Sequence, residues 1–296
     1  MMNNIKLAIS IFLFSHLVVA QTKDPLLSKD FEKQFFWVDS IYNAMTLEEK
    51  IGQLFFIQAN SFKSNNSEQI NSLIKNQKIG GLIFSKGTPN KQITLTKTFQ
   101  KNSKVPLLIS MDAEWGLSMR LDSVPKFPWN MSLGSISNNH LIEKVGKMIG
   151  KQCKTVGVHL NFSPVVDINT NPKNPIIGNR SFGESKENVA NKSIWYMNGL
   201  QSQNILSTAK HFPGHGDTSK DSHKTLPKIK HKRKRILKTE LYPYKKLIEN
   251  GLPAIMVAHL EVPSLEKEKN LPSSLSKSII KILKKNLKFK GLIITD

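Results

Sequence analysis

One segment of the chain concentrates residues that could carry out acid–base or metal chemistry. Residues 210–227 read KHFPGHGDTSKDSHKTLP, with three histidines, two aspartates and two glycines after an apolar run. Asp221 and His223 are separated only by Ser222, and side chains at i and i+2 of an extended segment share a face. The carboxylate can hold the imidazole in one tautomer and raise its basicity, which suits a general acid/base.

The same residue types could instead bind a metal ion, because imidazole and carboxylate groups are common ligands of zinc and related ions. The possible ligands in this segment are His211, His215, Asp217, Asp221 and His223. From residue types alone, acid–base chemistry and metal binding both remain open.

Ionisable residues also follow five apolar, β-rich runs of the chain. They are Asp112 after PLLISM, Asp167 after NFSPVV, Lys210 and His211 after ILSTA, His259 after AIMVA, and Asp296 after GLIIT. In a barrel of parallel strands the carboxyl ends of the strands meet at one mouth, where the active site lies. Each residue alone could be a solvated or capping residue, but the five together predict a polar binding site.

Short β-rich runs alternate with helix-like segments along most of the chain, which predicts βα units and a parallel sheet. The candidate strands are Ile51–Gln58, Gly81–Phe84, Pro106–Met111, Val158–Val166, Ile205–Lys210, Ala254–His259 and Gly291–Thr295. Apolar residues recur at helical spacing in Leu141–Val156, Ile236–Ile248 and Leu275–Leu287.

The seven candidate strands are one short of a closed eight-stranded barrel. The chain stops at the last of them, where a parallel edge buried on both faces would be left open. We therefore expect an α/β fold, a TIM-like (β/α)8 barrel that is incomplete at its C-terminus. No repeat or linker divides it, so the predicted organisation is a signal peptide at 1–20, a lead-in segment at 21–40 and one barrel domain at 41–296.

The N-terminus is typical of a secretory signal. Lys6 precedes an apolar stretch from Leu7 to Val19, and Val18-Val19-Ala20 offers a cleavage site before Gln21. The alternative is a membrane anchor, but the apolar stretch is shorter than the roughly 20 residues that span a bilayer. We expect export to the periplasm or the medium, with no stable membrane insertion after cleavage.

Composition argues against a disulfide framework and against nucleic-acid binding. Cys153 is the only cysteine, so no intramolecular disulfide can form, and its helical spacing predicts a buried thiol. The net charge is +21, densest at Lys228–Lys238, but only four of the 43 basic residues are arginines. Lysines spread over the whole chain of an exported protein indicate a solvated surface, with at most weak attraction to an anionic cell wall.

The motifs of the chain resemble those of glycoside hydrolase family 3, in its β-N-acetylhexosaminidase branch. The similar segments are MTLEEKIGQLF (45–55), DAEWGLSMR (112–120), GNRSFG (178–183), the loop at 210–227 and GLIITD (291–296). Five motifs in the same order over some 250 residues make the resemblance specific.

The resemblance implies roles for eight residues and no metal or cofactor. Asp296 would be the nucleophile that forms a covalent glycosyl-enzyme, and His223 the acid/base, oriented by Asp221. The residues that would grip the hydroxyl groups of the terminal sugar are Asp112, Arg120, Arg180, Lys210 and His211. The implied reaction is retaining removal of terminal β-linked N-acetylglucosamine from cell-wall or related glycans, with phosphate as a possible acceptor in place of water.

Three other interpretations stay open at this stage. A family 3 β-glucosidase would share the nucleophile strand but typically takes its acid/base from a further domain, so the Asp221–His223 loop argues against it. A non-catalytic glycan-binding barrel would keep only the sugar contacts. Arg180 could instead form a structural ion pair with Glu184 or Asp167.

The chain also departs from the family pattern. Trp115 stands where the family motif usually has glycine, which predicts a changed wall of the sugar pocket. Because Asp296 would also carry the terminal carboxylate, we expect the 296-residue chain alone to be inactive or poorly folded and a longer chain to be active. Metal-independent hydrolysis by the 296-residue chain would contradict that expectation.

Overall fold

The computed structural model describes residues 26–61, 67–219 and 225–296. The predicted signal peptide and the predicted dyad of Asp221 and His223 lie outside these residues. Within them, seven strands form one sheet in chain order, and every neighbouring pair is parallel. The strands are β1 (Phe56–Ala59), β2 (Gly81–Phe84), β3 (Leu108–Met111), β4 (Leu160–Asn161), β5 (Leu206–Phe212), β6 (Ala254–Val257) and β7 (Leu292–Thr295).

Helices connect successive strands, as the alternation in the sequence predicts. They are α1 (Phe31–Asn43), α2 (Leu47–Gly52), α3 (Ser67–Gln77), α4 (Pro89–Asn102), α5 (Asn130–Gly134), α6 (Asn139–Thr155), α7 (Lys186–Gln201), α8 (Arg233–Lys238), α9 (Tyr242–Glu249) and α10 (Lys277–Lys281). Short 3₁₀ turns occupy Leu117–Met119, Gly178–Arg180 and Ser273–Leu275, and a π-helical turn follows α10 at Ile282–Asn286. Seven parallel strands in sequential order confirm the expectation of an incomplete TIM-like barrel.

Some element boundaries differ from the predicted ones. The predicted first strand began at Ile51, but Thr46 and Glu49 form a capping box that starts α2, so Ile51 is helical and β1 begins at Phe56. The predicted helix Ile236–Ile248 is broken between α8 and α9, where Pro243 lies in the first turn of the second helix. Proline has no N–H to donate to a preceding turn, so it starts a helix more readily than it continues one.

Buried side chains from the sheet and the surrounding helices form the core. The predicted helix over Leu141–Val156 is α6, and its Cys153 is fully buried. Burial raises the pKa of this thiol to about 12, which makes it an inert part of the core. By contrast, α1 begins within the predicted lead-in segment at 21–40 and ends just after it, and none of its residues is buried.

Helices α6 and α7 pack closely through two glycines. A methyl group at Gly146 would lie 2.3 Å from the carbonyl oxygen of Tyr196, and one at Gly199 would lie 2.2 Å from that of Glu143. The contact matters for the mouth of the barrel, because the hydroxyl of Tyr196 donates a hydrogen bond to the carbonyl oxygen of Glu114 at 3.0 Å.

We expect Gly146→Ala to lower the free energy of unfolding by about 1–3 kcal/mol, because the helices must separate to admit the methyl group. Alanine favours a helix over glycine by only about 1 kcal/mol, which is too little to offset the clash. Chemical denaturation would measure the change. Lys147→Ala, at an exposed position of the same helix, should leave the unfolding curve unchanged. An equally large loss in that control would contradict the packing explanation.

Candidate active site

A cavity of about 350 Å³ opens at the carboxyl ends of the strands. This volume is at the small end of the range for ligand pockets, roughly 300–1,000 Å³. Its lining consists of Asp112, Glu114, Trp115, Met119, Arg120, Ile176, Arg180, Lys210, His211, His215 and Asp296. All six predicted site residues that the structure describes therefore line one cavity, although they come from segments up to 184 positions apart in the chain.

A buried lysine links two carboxylates on the wall of this cavity. Lys210, near the end of β5, donates to Oδ1 of Asp112 at 2.6 Å, and its Nζ lies 2.8 Å from Oε1 of Glu114. Arg120 donates to the other oxygen of Asp112 at 2.6 Å. Lys210 and Glu114 are almost completely buried, so their charges are stabilised mainly by their partners and not by water.

Arg180 extends the network through a bidentate pair. Its Nε and Nη2 donate to the two carboxylate oxygens of Glu114 at 2.9 and 2.7 Å. The alternative interpretation of Arg180 was a structural ion pair with Glu184 or Asp167; an ion pair is present, but its partner is Glu114. The sequence motifs assign no role to Glu114, although its place two residues after Asp112, on the same face of an extended segment, indicates that it faces the same site.

The network holds its members in their charged forms. Burial would raise the pKa of Glu114, but Lys210 and Arg180 outweigh it and leave that pKa lowered. The pKa of Asp112 is lowered in the same way, against burial, by Lys210 and Arg120. Burial would lower the pKa of Lys210, but Asp112 and Glu114 raise it. At neutral pH the cavity therefore presents alternating fixed charges, which suit the hydrogen-bonding groups of a polar ligand.

Asp167 organises the start of the loop from behind the cavity wall. It is 1% exposed and accepts hydrogen bonds from the backbone N–H groups of His211 and His215, the latter at 2.6 Å. Its Oδ2 also lies 2.7 Å from Nδ1 of His211. The opposite ring nitrogen of His211 lies 3.4 Å from Nη2 of Arg180. Asp167, predicted only as a strand-end residue, thus orients His211.

His259, the remaining strand-end residue, contacts the main chain of Asp296, which lines the cavity. Its Nε2 lies 2.7 Å from the carbonyl oxygen of Asp296, and its Nδ1 lies 2.6 Å from the hydroxyl of Ser274. The backbone N–H of Asp296 donates to the carbonyl oxygen of Val257 at 3.0 Å, which continues the β6–β7 pairing. These contacts hold Asp296 at the cavity.

The first part of the 210–227 loop is held by contacts with neighbouring segments. The side chain of Asn174 donates to the carbonyl oxygen of His215 at 2.9 Å, and Thr218 lies 2.6 Å from Nδ1 of the same histidine. Beyond residue 224, Nε2 of His231 lies 2.8 Å from Asp217. Within the described residues no group of three or more histidine, cysteine or acidic side chains is arranged to hold a metal ion.

Trp115 forms part of the cavity wall, as its departure from the family pattern predicted. Its ring lies against that of Trp129, with centroids 4.2 Å apart and the planes inclined at 51°. Both indoles are half-buried.

A parallel barrel sheet with a charged cavity at the carboxyl ends of its strands defines a (β/α)-barrel protein whose cavity lies where this fold usually places its active site. The model of the glycosyl hydrolase family 3 N-terminal domain matches residues 46–296, and the chain belongs to this family.

Known relatives and structures agree with this assignment. β-Hexosaminidase A of Pseudoalteromonas piscicida is 33% identical over 252 residues, which are 77% of this chain and 42% of the relative. A family 3 β-N-acetylglucosaminidase from Paenibacillus sp. FPU-7 superposes with a TM-score of 0.80 at 37% identity, over 86% of this chain and 49% of that one. The β-glucoside phosphorylase BglX superposes at 0.85 with 28% identity, over 91% and 49%. The chain spans about half the length of these proteins.

Proposed function

We propose that this chain is the catalytic barrel of a β-N-acetylhexosaminidase that removes terminal β-linked N-acetylglucosamine by a retaining double displacement. The observation that carries the proposal is that Asp296 lines the same cavity as Asp112, Arg180, Lys210 and His211. A retaining enzyme needs a carboxylate nucleophile at one face of the anomeric carbon of a firmly held sugar. The family relatives, several of which are named β-hexosaminidases, support this substrate class.

In the proposed mechanism Asp296 attacks the anomeric carbon while His223 protonates the departing oxygen. The resulting glycosyl-enzyme is then opened by water, from which His223 removes a proton. Asp221 stabilises the imidazolium form of His223 between these steps. The residues that grip the sugar hydroxyls are Asp112, Arg120, Arg180, Lys210 and His211.

The ion pairs described above give this grip its rigidity. Each charged group has its partner in place before the sugar binds, so the cavity does not reorganise as charge develops in the transition state. The carboxylate of Asp296, placed at the anomeric carbon, favours the positive charge of an oxocarbenium-like state. Arg180, paired in a fork with Glu114, keeps its planar guanidinium at the cavity, a geometry that lysine does not offer.

We further propose that the protein acts outside the cytoplasm, on peptidoglycan or a related glycan. The support is the predicted signal peptide at residues 1–20 and the family's relation to cell-wall sugars. In the part of the chain that the structure describes, no helix has the length and apolarity needed to cross a membrane.

Phosphate is a second possible acceptor for the glycosyl unit. A histidine acid/base would not repel an anionic acceptor as a carboxylate would. The similarity to a β-glucoside phosphorylase favours testing this reaction. Adding inorganic phosphate to the assay and identifying the products as N-acetylglucosamine or its 1-phosphate distinguishes hydrolysis from phosphorolysis.

The acid/base assignment predicts a loss of activity that depends on the leaving group. In the full-length protein, His223→Ala should lower kcat about 10²–10³-fold on a β-linked disaccharide of N-acetylglucosamine, because its leaving group must be protonated. The rate of the bond-breaking step should fall less on a nitrophenyl glycoside, because its leaving group departs as an anion and needs no proton. Rapid-quench and steady-state kinetics on both substrates measure the difference.

His140→Ala is the matched control, since this histidine is exposed on α6 beside Glu143. It should retain wild-type activity on both substrates. Unchanged disaccharide cleavage by the His223 variant would remove this residue from the mechanism. Cleavage of β-glucosides in place of N-acetylglucosaminides by the wild type would favour the β-glucosidase interpretation.

A further inference from the structure

Trp115 lies on the cavity wall, at the position where the 112–120 segment departs from the family motif. We propose that Trp115, supported by Trp129, is a binding surface for a saccharide leaving group, the sugar ring that departs when the terminal unit is removed. This inference rests on the proposed function and makes Trp115 a determinant of substrate specificity.

Trp115 lies on the cavity wall beside the charged network and is partly exposed. Glu114, the preceding residue, is fully buried in the Lys210–Arg180 network, whereas the Trp115 side chain is only half-buried. A cavity of about 350 Å³ suits a single terminal sugar rather than two. The ring beyond the scissile bond must therefore lie towards solvent, where the partly exposed indole is available to it.

The indole is held rigidly before any ligand binds. The backbone N–H of Phe127 donates to the carbonyl oxygen of Trp115 at 3.2 Å, and Tyr196 holds the carbonyl oxygen of Glu114. Gly116 has a φ of 90°, and a Cβ there would lie 2.7 Å from the Phe127 ring, so this turn requires glycine. Its geometry fixes the direction in which Trp115 projects.

Trp129 supports the outer part of this surface. Its ring contacts that of Trp115, and the ammonium group of Lys126 lies 5.3 Å from the centroid of Trp129. The two indoles are therefore fixed by packing and by a cation–π contact. Binding on a prearranged aromatic surface costs little conformational entropy, which increases the affinity gained from contact.

The chemistry of the surface favours a ring over a small alkyl group. A pyranose presents an apolar face of C–H groups that can cover an indole, and burial of this apolar area favours binding. A methyl group covers much less of the ring. The hydroxyl groups at the edge of the pyranose remain free to contact water or the exposed Lys126.

The test compares two substrates whose leaving groups are both unactivated alcohols. One is the β-1,4-linked disaccharide of N-acetylglucosamine, and the other is its methyl β-glycoside. In the full-length protein, Trp115→Ala should lower kcat/KM about tenfold on the disaccharide and less than twofold on the methyl glycoside. Trp115→Phe, which keeps an aromatic face, should recover most of the disaccharide activity.

Trp195→Ala is the matched control, because this half-buried indole lies on α7 against His140 and not at the cavity. It should change the ratio of the two activities by less than twofold. Equal losses on both substrates for the Trp115 variant would place the indole against the terminal sugar and overturn the inference. Unchanged disaccharide cleavage would overturn it as well, while leaving the proposed function in place. A wild-type protein that cleaves neither substrate would contradict the proposed function itself, and the inference with it.

Discussion

Replacing Asp296 with asparagine in the full-length protein is expected to lower kcat by about 10⁴-fold or more, because the amide cannot form the glycosyl-enzyme. Asparagine has nearly the same shape as aspartate, so the contacts of the main chain with Val257 and His259 should survive. Steady-state kinetics on a nitrophenyl β-N-acetylglucosaminide would measure the loss.

A second measurement tests the covalent step directly. Rapid acid quenching of the wild type during turnover should trap a glycosyl unit on the peptide that contains Asp296, detectable by its added mass. The Asp296→Asn variant should show no such adduct. Asp39→Asn, at an exposed position of α1, is the control and should behave as the wild type in both assays. Residual activity within tenfold of the wild type would exclude Asp296 as the nucleophile.

The second large effect concerns stability. Glu114→Gln is expected to lower the free energy of unfolding by about 3–5 kcal/mol, since it removes one partner of a buried set of charges. Lys210 would keep only Asp112, and Arg180 would lose its bidentate partner. Urea denaturation of wild type and variant at pH 7 would measure this difference.

The contribution of Glu114 should also depend on pH in a definite direction. Burial opposes ionisation, but Lys210 and Arg180 prevail and keep the pKa of Glu114 below its unfolded value, as Lys210 and Arg120 do for Asp112. A lowered folded pKa stabilises the protein above the unfolded pKa, about 4, and this stabilisation is lost as pH falls towards the folded value. The wild type should therefore lose stability below about pH 4, and Glu114→Gln should show a shallower acid dependence.

Lys210 acts at the other end of the pH range. Burial would lower the pKa of Lys210, but Asp112 and Glu114 raise it. The contribution of Lys210 to stability is therefore complete below the unfolded pKa of about 10.4 and declines as pH rises towards the folded value.

The control for Glu114→Gln is Glu249→Gln, which breaks an exposed ion pair with Lys246 and should leave the unfolding curve in place. Equal stability of the Glu114 variant and the wild type would show that the buried network does not support the fold.

Much of the architecture could be predicted because each strand carries its own signal. Runs such as PLLISM, AIMVA and GLIIT are short, apolar and rich in β-forming residues, and all three contain strands of the sheet. The boundaries differ where a local signal starts a helix. The capping box at Thr46 and the proline at position 243 both act within a few residues and could have been read from the sequence.

The candidate site was predictable only in part. The ionisable residue after each strand marks the mouth, so Asp112, Lys210 and Asp296 could be proposed before any coordinates. Glu114 and Asp167 could not be assigned their partners. Glu114 and Arg180 are 66 positions apart in the sequence, and Asp167 and His211 are 44 apart. Local residue spacing does not predict contacts between residues so far apart.

The sequence by itself determined that this chain forms a parallel barrel sheet, which residues end its strands, and which family its motifs resemble. These features depend on the types of neighbouring residues and their order, which can be read directly from the pattern of apolar and polar residues along the chain. Only the tertiary structure decided which carboxylate pairs with which basic side chain, how deeply Lys210 is buried and where Trp115 contacts Trp129. Those relations depend on how the sheet, its helices and its loops pack together, which brings into contact groups that are far apart in the chain.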